Sequence, residues 1–203
     1  MQSRRLFRVG APALVAGAVA LGAVSLGGSA TASPRAAPAA GQQTVTASLL
    51  TRPPMTLAPG SAVRSSSLGQ RVFPDARHGF ALASVGQAQY PAATSNGGRT
   101  WKTDGPALHL NAAQAPFVVL EIGAAGRRTV FAYGSGQVVD TTSDGGKHWY
   151  RALFNGLPMA VVRNAFGHLV AFVDGQTSGG ATWQYVSKDG GRTWHHDTRV
   201  GGS

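Results

Sequence analysis

Thr142-Ser143-Asp144-Gly145-Gly146-Lys147-His148-Trp149 decides the fold, because the chain writes the same eight-residue stretch twice more. The other copies are Thr94-Ser95-Asn96-Gly97-Gly98-Arg99-Thr100-Trp101 and Ser187-Lys188-Asp189-Gly190-Gly191-Arg192-Thr193-Trp194, with tryptophans 48 and then 45 residues apart. A repeat of roughly 40–50 residues is the period of radial or solenoid all-β architectures. Each copy combines a hydroxyl residue, an Asp or Asn two positions later and a Gly-Gly pair. That is turn chemistry: the side-chain oxygen accepts from nearby backbone N–H groups, and glycine takes the positive φ of a tight hairpin. The closing tryptophan anchors the returning strand in apolar surroundings.

Working outward, the chain aligns with itself from Arg71. The first unit runs Arg71–Asp75, Gly79–Ala83 and Gln87–Ala93 into its octapeptide. The second runs Phe117–Ile122, Arg128–Tyr133 and Gln137–Val139, and the third Met159–Arg163, His168–Phe172 and Ala181–Val186. Short segments rich in Val, Phe, Tyr and Trp between Gly-bearing turns read as strands, three before each octapeptide and one after it. The expected fold is all-β, three four-stranded antiparallel blades of a β-propeller. Closed propellers have about 4–8 blades, so the array is expected to be open, or closed by a second copy as a homodimer. Two open flanks would each expose apolar side chains for such a contact.

The octapeptides resemble the Asp-box, or BNR, repeat (Ser/Thr-x-Asp-x-Gly-x-x-Trp) of sialidases, sortilin-type receptors and small propellers related to photosystem II assembly factors. Thr142, Asp144, Gly146 and Trp149 fit every fixed position, as do Ser187, Asp189, Gly191 and Trp194. Thr94, Gly98 and Trp101 fit the first copy, in which Asn96 replaces the Asp. The resemblance implies a structural role for these residues, remote from any substrate.

Sialidases that carry such repeats use an arginine cluster, a Tyr/Glu nucleophile pair and an acidic proton donor. This chain has one glutamate, Glu121, expected to face Arg128 across a hairpin turning at Gly123 to Gly126. The Arg-Ile-Pro motif that precedes the sialidase repeats is missing, Thr51-Arg52-Pro53-Pro54 being a faint echo. His195 and His196 are adjacent, so on a strand they point to opposite faces. The remaining histidines have no ligand spacing, no Gly-x-Ser-x-Gly turn occurs, and neither a metal nor a cofactor is expected. Tyr90, Val138 and Trp183 occupy equivalent places four residues before each octapeptide. A valine suffices in the second unit, so Trp183 and Tyr90 are candidate ligand-binding aromatics.

At the N-terminal end, Arg4, Arg5 and Arg8 precede an uncharged Ala/Val/Leu/Gly stretch and the small-x-small site Ala30-Thr31-Ala32. That pattern reads as a secretory signal peptide over residues 1–32. Ser3-Arg4-Arg5-Leu6-Phe7-Arg8 fits a twin-arginine signal and equally a Sec signal with adjacent arginines. Export of an Arg4→Lys, Arg5→Lys double variant separates the two. Residues 33–66, rich in Ala, Pro and Ser, read as a flexible tether, and 67–200 as the repeat domain. Cleavage after Ala32 leaves 171 residues with 15 basic and 8 acidic side chains and no cysteine, enough for a domain without disulfides.

The basic residues are scattered singly apart from Arg127-Arg128, so nucleic acid is not an expected partner. A cationic exported chain suits anionic envelope polymers better. The function expected is a secreted, non-catalytic binding module for a glycan or a cell-envelope protein. The alternatives are a sialidase-like glycoside hydrolase, or a fragment of one, and an assembly or stability factor.

Overall fold

The computed structural model describes residues 44–111, 119–175 and 181–197; the expected signal peptide lies outside them. The strands are β1 (Thr44–Thr46), β2 (Ser48–Leu49), β3 (Ala62–Val63), β4 (Leu68–Val72), β5 (Gly79–Val85), β6 (Ala88–Thr94), β7 (Trp101–Thr103), β8 (His109–Leu110), β9 (Val119–Ala124), β10 (Val130–Gly134), β11 (Val138–Thr142), β12 (Tyr150–Leu153), β13 (Leu157–Arg163), β14 (Leu169–Asp174), β15 (Thr182–Ser187) and β16 (Thr193–His196). They form three antiparallel sheets, each a four-stranded meander of the propeller-blade kind: β4 to β7, β9 to β12 and β13 to β16. In each blade an octapeptide joins the third strand to the fourth.

Alternation along the strands places the core. In β15, Trp183 and Tyr185 are buried while Thr182 is exposed, the period of two that a half-covered strand requires. Phe80, Leu82 and Leu108 of the first blade pack with Val119, Ile122, Val130 and Trp149 of the second. Phe131, Val139 and Phe154 of the second pack with Val161, Leu169, Trp183, Tyr185 and Trp194 of the third. Phe154 meets Tyr185 and Trp194 edge to face, with ring centroids 5.0 and 5.6 Å away. The hydrophobic core is therefore the space between consecutive blades.

The N-terminal segment departs from the expected tether. From Thr44 it runs along all three blades and gives each a fifth strand. β1 pairs with β16 of the third blade, β2 with β12 of the second and β3 with β7 of the first. Beyond the strand ladders, backbone bonds tie it to all three: Ala47 N–H to the Arg192 carbonyl (2.8 Å), Leu50 N–H to Trp149 (2.7 Å), Gly60 N–H to Thr103 (2.7 Å) and Thr103 N–H to the Ser61 carbonyl (2.9 Å). Composition misled here because the prolines, Pro53, Pro54 and Pro59, fall between the paired stretches. Each paired stretch needs only two or three residues at an edge, where unpaired ladder groups are already waiting.

The segment also corrects the expectation of two open flanks. The outer face of the first blade carries small side chains, Ala81, Ala83 and Ala92, all fully buried. They and Trp101 pack with Val63 of the N-terminal run, while Leu57 lies on Tyr90. On the third blade, the row Val161–Ala171–Tyr185–His196 faces the second blade, so the row Val162–Val170–Val186–His195 faces away. Val162 there is 44 % exposed.

Glu121 is also displaced from its expected place. It lies opposite Tyr133, because β9 continues to Ala124, which pairs with Val130. The hairpin turns over Ala125 to Thr129 instead. Glu121 Oε2 accepts from Gln70 Nε2 at 2.6 Å, a bond from the first blade to the second.

Val45, 2 % exposed, is the anchor of the segment and pairs with Trp194. Val45→Ala is expected to cost about 1–3 kcal/mol in urea unfolding. A tether residue would leave the midpoint unchanged.

Candidate functional site

The three octapeptides form one hydrogen-bonded turn. In the second, Thr142 Oγ1 donates to Asp144 Oδ1 (2.9 Å) and accepts from Gly146 N–H (3.0 Å), and Asp144 Oδ1 also accepts from His148 N–H (3.0 Å). In the third, Ser187 Oγ donates to Asp189 Oδ1 (2.8 Å) and accepts from Gly191 N–H (2.8 Å), while Thr193 N–H reaches Asp189 at 2.9 Å. In the first, Asn96 Oδ1 accepts from Thr94 Oγ1 (2.9 Å) and Thr100 N–H (3.0 Å), and Gly98 N–H donates to Thr94 at 3.1 Å. Asn96 performs the acceptor task because the turn asks for an oxygen, not a charge. Burial alone would raise the Asp144 carboxyl, but the bonds from His148 and Thr142 outweigh it and take its pKa to about 2. The same competition leaves Asp189 below its ordinary value.

The glycine pairs of the second and third octapeptides bring their turns against the preceding blade. Gly146 (φ +83°) lies so close to Asp104 that a Cβ would collide with its carboxyl group and carbonyl. Gly191 (φ +96°) lies equally close to Thr141. Both need a left-handed backbone and the absence of a side chain, which only glycine combines. Trp149 adds a bond across the first joint, its Nε1–H donating to the Asp104 carbonyl at 2.7 Å. Trp101 and Trp194 donate instead within their own turns, to Gly98 and Gly191, each at 3.0 Å.

Beside this joint is a cleft of about 450 Å³. The first blade supplies Phe80, Ala93, Thr94, Ser95, Lys102, Thr103 and Asp104, with His78 from its β4–β5 turn; the N-terminal segment supplies Pro59 and Gly60; the second blade supplies Arg127, Gly145, Gly146 and Lys147. Arg127 Nε donates to Asp75 Oδ2 at 2.7 Å, and His78 Nδ1 lies 3.0 Å from Asp75. N–H bonds from His78 and Arg77 hold the Asp75 carboxyl far below its ordinary range. Lys102 and Lys147 have no ion-pair partner among the described residues.

Asp104 is the unusual group. Its N–H donates to the Pro91 carbonyl at 2.8 Å and its carbonyl holds Trp149, but its buried Oδ2 has no hydrogen-bond partner. Burial, with a smaller contribution from the Asp144 charge, raises its pKa to about 7. Below that pH a neutral acid sits among cations, able to donate one hydrogen bond; above it, a carboxylate faces Asp144.

A second buried carboxylate has a structural task. Asp140, fully buried on β11, receives Nε and one terminal nitrogen of Arg151, both at 2.7 Å, and Arg151 also donates to the Leu108 carbonyl of the first blade. Burial raises the Asp140 pKa, against the opposing bond from Arg151. The pair was visible in outline: Asp140 lies two residues before the second octapeptide and Arg151 two after it, the offset of directly opposed residues in a hairpin. Asp104, Lys102 and Lys147 had no such signal, since nothing in the sequence placed the first blade's last strand against the second blade's turn.

Trp183 and Tyr90 are not presented to a ligand. Trp183 is 9 % and Tyr90 3 % exposed, the one in the core between the second and third blades, the other with its hydroxyl accepting from Leu57 N–H at 3.1 Å. Trp183 fits because its blade leaves room beside His196, with ring centroids 6.4 Å apart. His195 and His196 do face opposite ways: His195 lies 3.4 Å from Thr44 Oγ1, and His196 packs on Tyr185. Among the described residues no three His, Asp or Glu side chains are arranged to hold a metal ion.

No protein-family model and no curated protein matches the sequence. Among solved structures the chain is similar to YCF48 bound to D1 peptide, with 20 % identity and a TM-score of 0.44. The alignment covers 72 % of this chain and 46 % of that one.

Two predictions follow from the geometry. Asp144→Ala and Asp189→Ala should each lower stability by about 1–3 kcal/mol through lost turn bonds, while Asn96→Asp leaves the melting temperature within a degree or so. For Asp104 the raised carboxyl pKa means that the folded state holds more protons than the unfolded between about pH 4 and 7. The stability it contributes is complete below that window and lost as the pH rises through about 7. Asp104→Asn should therefore flatten the denaturation midpoint over this range and raise it at pH 8.

Proposed function

We propose that the chain is a secreted, non-catalytic binding module built of Asp-box repeats, whose ligand is a glycan or a cell-envelope protein. The observation that supports this is the contrast between its charges. The octapeptide carboxylates are engaged in turn bonds through Oδ1, whereas the cleft between the first two blades offers Lys102 and Lys147 without ion-pair partners among the described residues. A mostly pre-formed concavity with a few polar groups is what a binding site needs. The single glutamate of the chain, Glu121, accepts from Gln70 and lies opposite Tyr133, outside the cleft.

The mature protein, residues 33–203, is expected to bind one class of ligand saturably on a glycan array or in a pull-down from envelope extracts. It should leave a fluorogenic sialoside intact. Turnover of the sialoside that survives purification to homogeneity would replace this reading with the hydrolase one.

A further inference from the structure

Taking the binding-module reading as its basis, we propose that the cleft between the first and second blades receives an anionic group carried on a polyol, a uronate or a polyol phosphate. The anion sits on Lys102 and Lys147, beside the buried carboxyl group of Asp104.

Three features converge on this ligand. Lys102 and Lys147 come from different blades, line one cavity and have no anion of their own among the described residues. The third cation, Arg127, has its Nε on Asp75 and keeps its terminal nitrogens for another acceptor. Paired ammonium groups favour an oxyanion without demanding the flat bidentate geometry that arginine imposes, so carboxylate and phosphate both fit. The rest of the wall is low and close to backbone, with glycine at positions 60, 145 and 146 and the Ser95 hydroxyl beside them. A space of about 450 Å³ is within the range of small-molecule clefts and admits a sugar-sized polyol.

Asp104 makes the site selective for protonation state. Its Oδ2 lies buried without a partner, and the lack of a side chain on Gly146 is what lets the second blade close over it. The charged and titratable groups around it are Lys102 on its own blade, His78 and Asp75 on the β4–β5 turn, Arg127 on the β9–β10 turn, and Asp144 and Lys147 on the second octapeptide. An arriving anion adds negative charge beside this carboxyl and keeps the proton on it. The proton removes the repulsion between this carboxyl and the anion, so binding and proton uptake are coupled. Affinity is then highest in mildly acidic solution and falls as the carboxyl ionises.

The test is calorimetric titration of residues 33–203 with sodium glucuronate, with a glycerol phosphodiester and with glucose, at pH 6 and pH 8.5. At pH 6 at least one anion should bind at least about tenfold more tightly than glucose, and that affinity should fall about tenfold by pH 8.5. Binding by glucuronate alone assigns a carboxylate ligand, and binding by the diester alone a phosphate. Asp104→Asn should keep the pH 6 affinity at both pH values. Lys102→Ala with Lys147→Ala should weaken the anion at least about tenfold at an unchanged melting temperature. Saturation by neither anion at tens of millimolar, or equal binding by the double lysine variant, would overturn the assignment. If that variant still bound a ligand from the glycan array, the binding-module reading would stand and only the cleft would be excluded.

Discussion

The approach of the second and third octapeptide turns to the blade before each is the constraint on which the rest of the structure depends. Gly146 against Asp104 and Gly191 against Thr141 leave no space for a methyl group, and they set how near consecutive sheets come. That spacing allows Phe80 and Leu82 to reach Trp149, and Phe154 to lie edge-on to Trp194. It also brings Asp104 under the second blade, where it loses solvent without gaining a partner. One steric condition thus shapes both the core and the cleft.

A row of stacked sheets stays open at its strand edges, and this chain closes those edges with itself. The N-terminal segment visits the third, second and first blades in that order, so a single run of backbone joins the outer strands of all three. Val45 is buried with Phe154 and Trp194 in one inter-blade core, and Leu50 packs against the other. The two inter-blade cores are consequently held at their rims as well as through their middles, which favours unfolding as one unit. A Gln70–Glu121 bond, an Arg127–Asp75 bond and the bond from Arg151 to the Leu108 carbonyl add polar links at the first joint.

The sequence made the repeating part legible and left the joining parts obscure, for a physical reason. Turn and strand signals are local: the Gly-Gly pairs, the Asp and Asn acceptors and the alternating Trp183 and Tyr185 reveal each meander from its own residues. What joins blades is long-range. The pairing of Thr44 with His195 spans 151 residues, and two- or three-residue edge strands leave no periodicity to detect. The basic cleft was hidden likewise, because Lys102 and Lys147 come together only when one blade's last strand meets the next blade's turn. Trp183 was misleading in the opposite sense, since a residue type that often marks a ligand surface was required here to fill a core.

Native-state hydrogen exchange tests most directly the claim that three blades and their N-terminal segment form one cooperative unit. The amides of Ala47, Leu50 and Gly60 donate to the third, second and first blades respectively. The account predicts that all three are protected and exchange with the same opening free energy as the Trp149 and Trp194 strands they border. Exchange of these amides at the rate of an unstructured peptide, with the blades still protected, would contradict it.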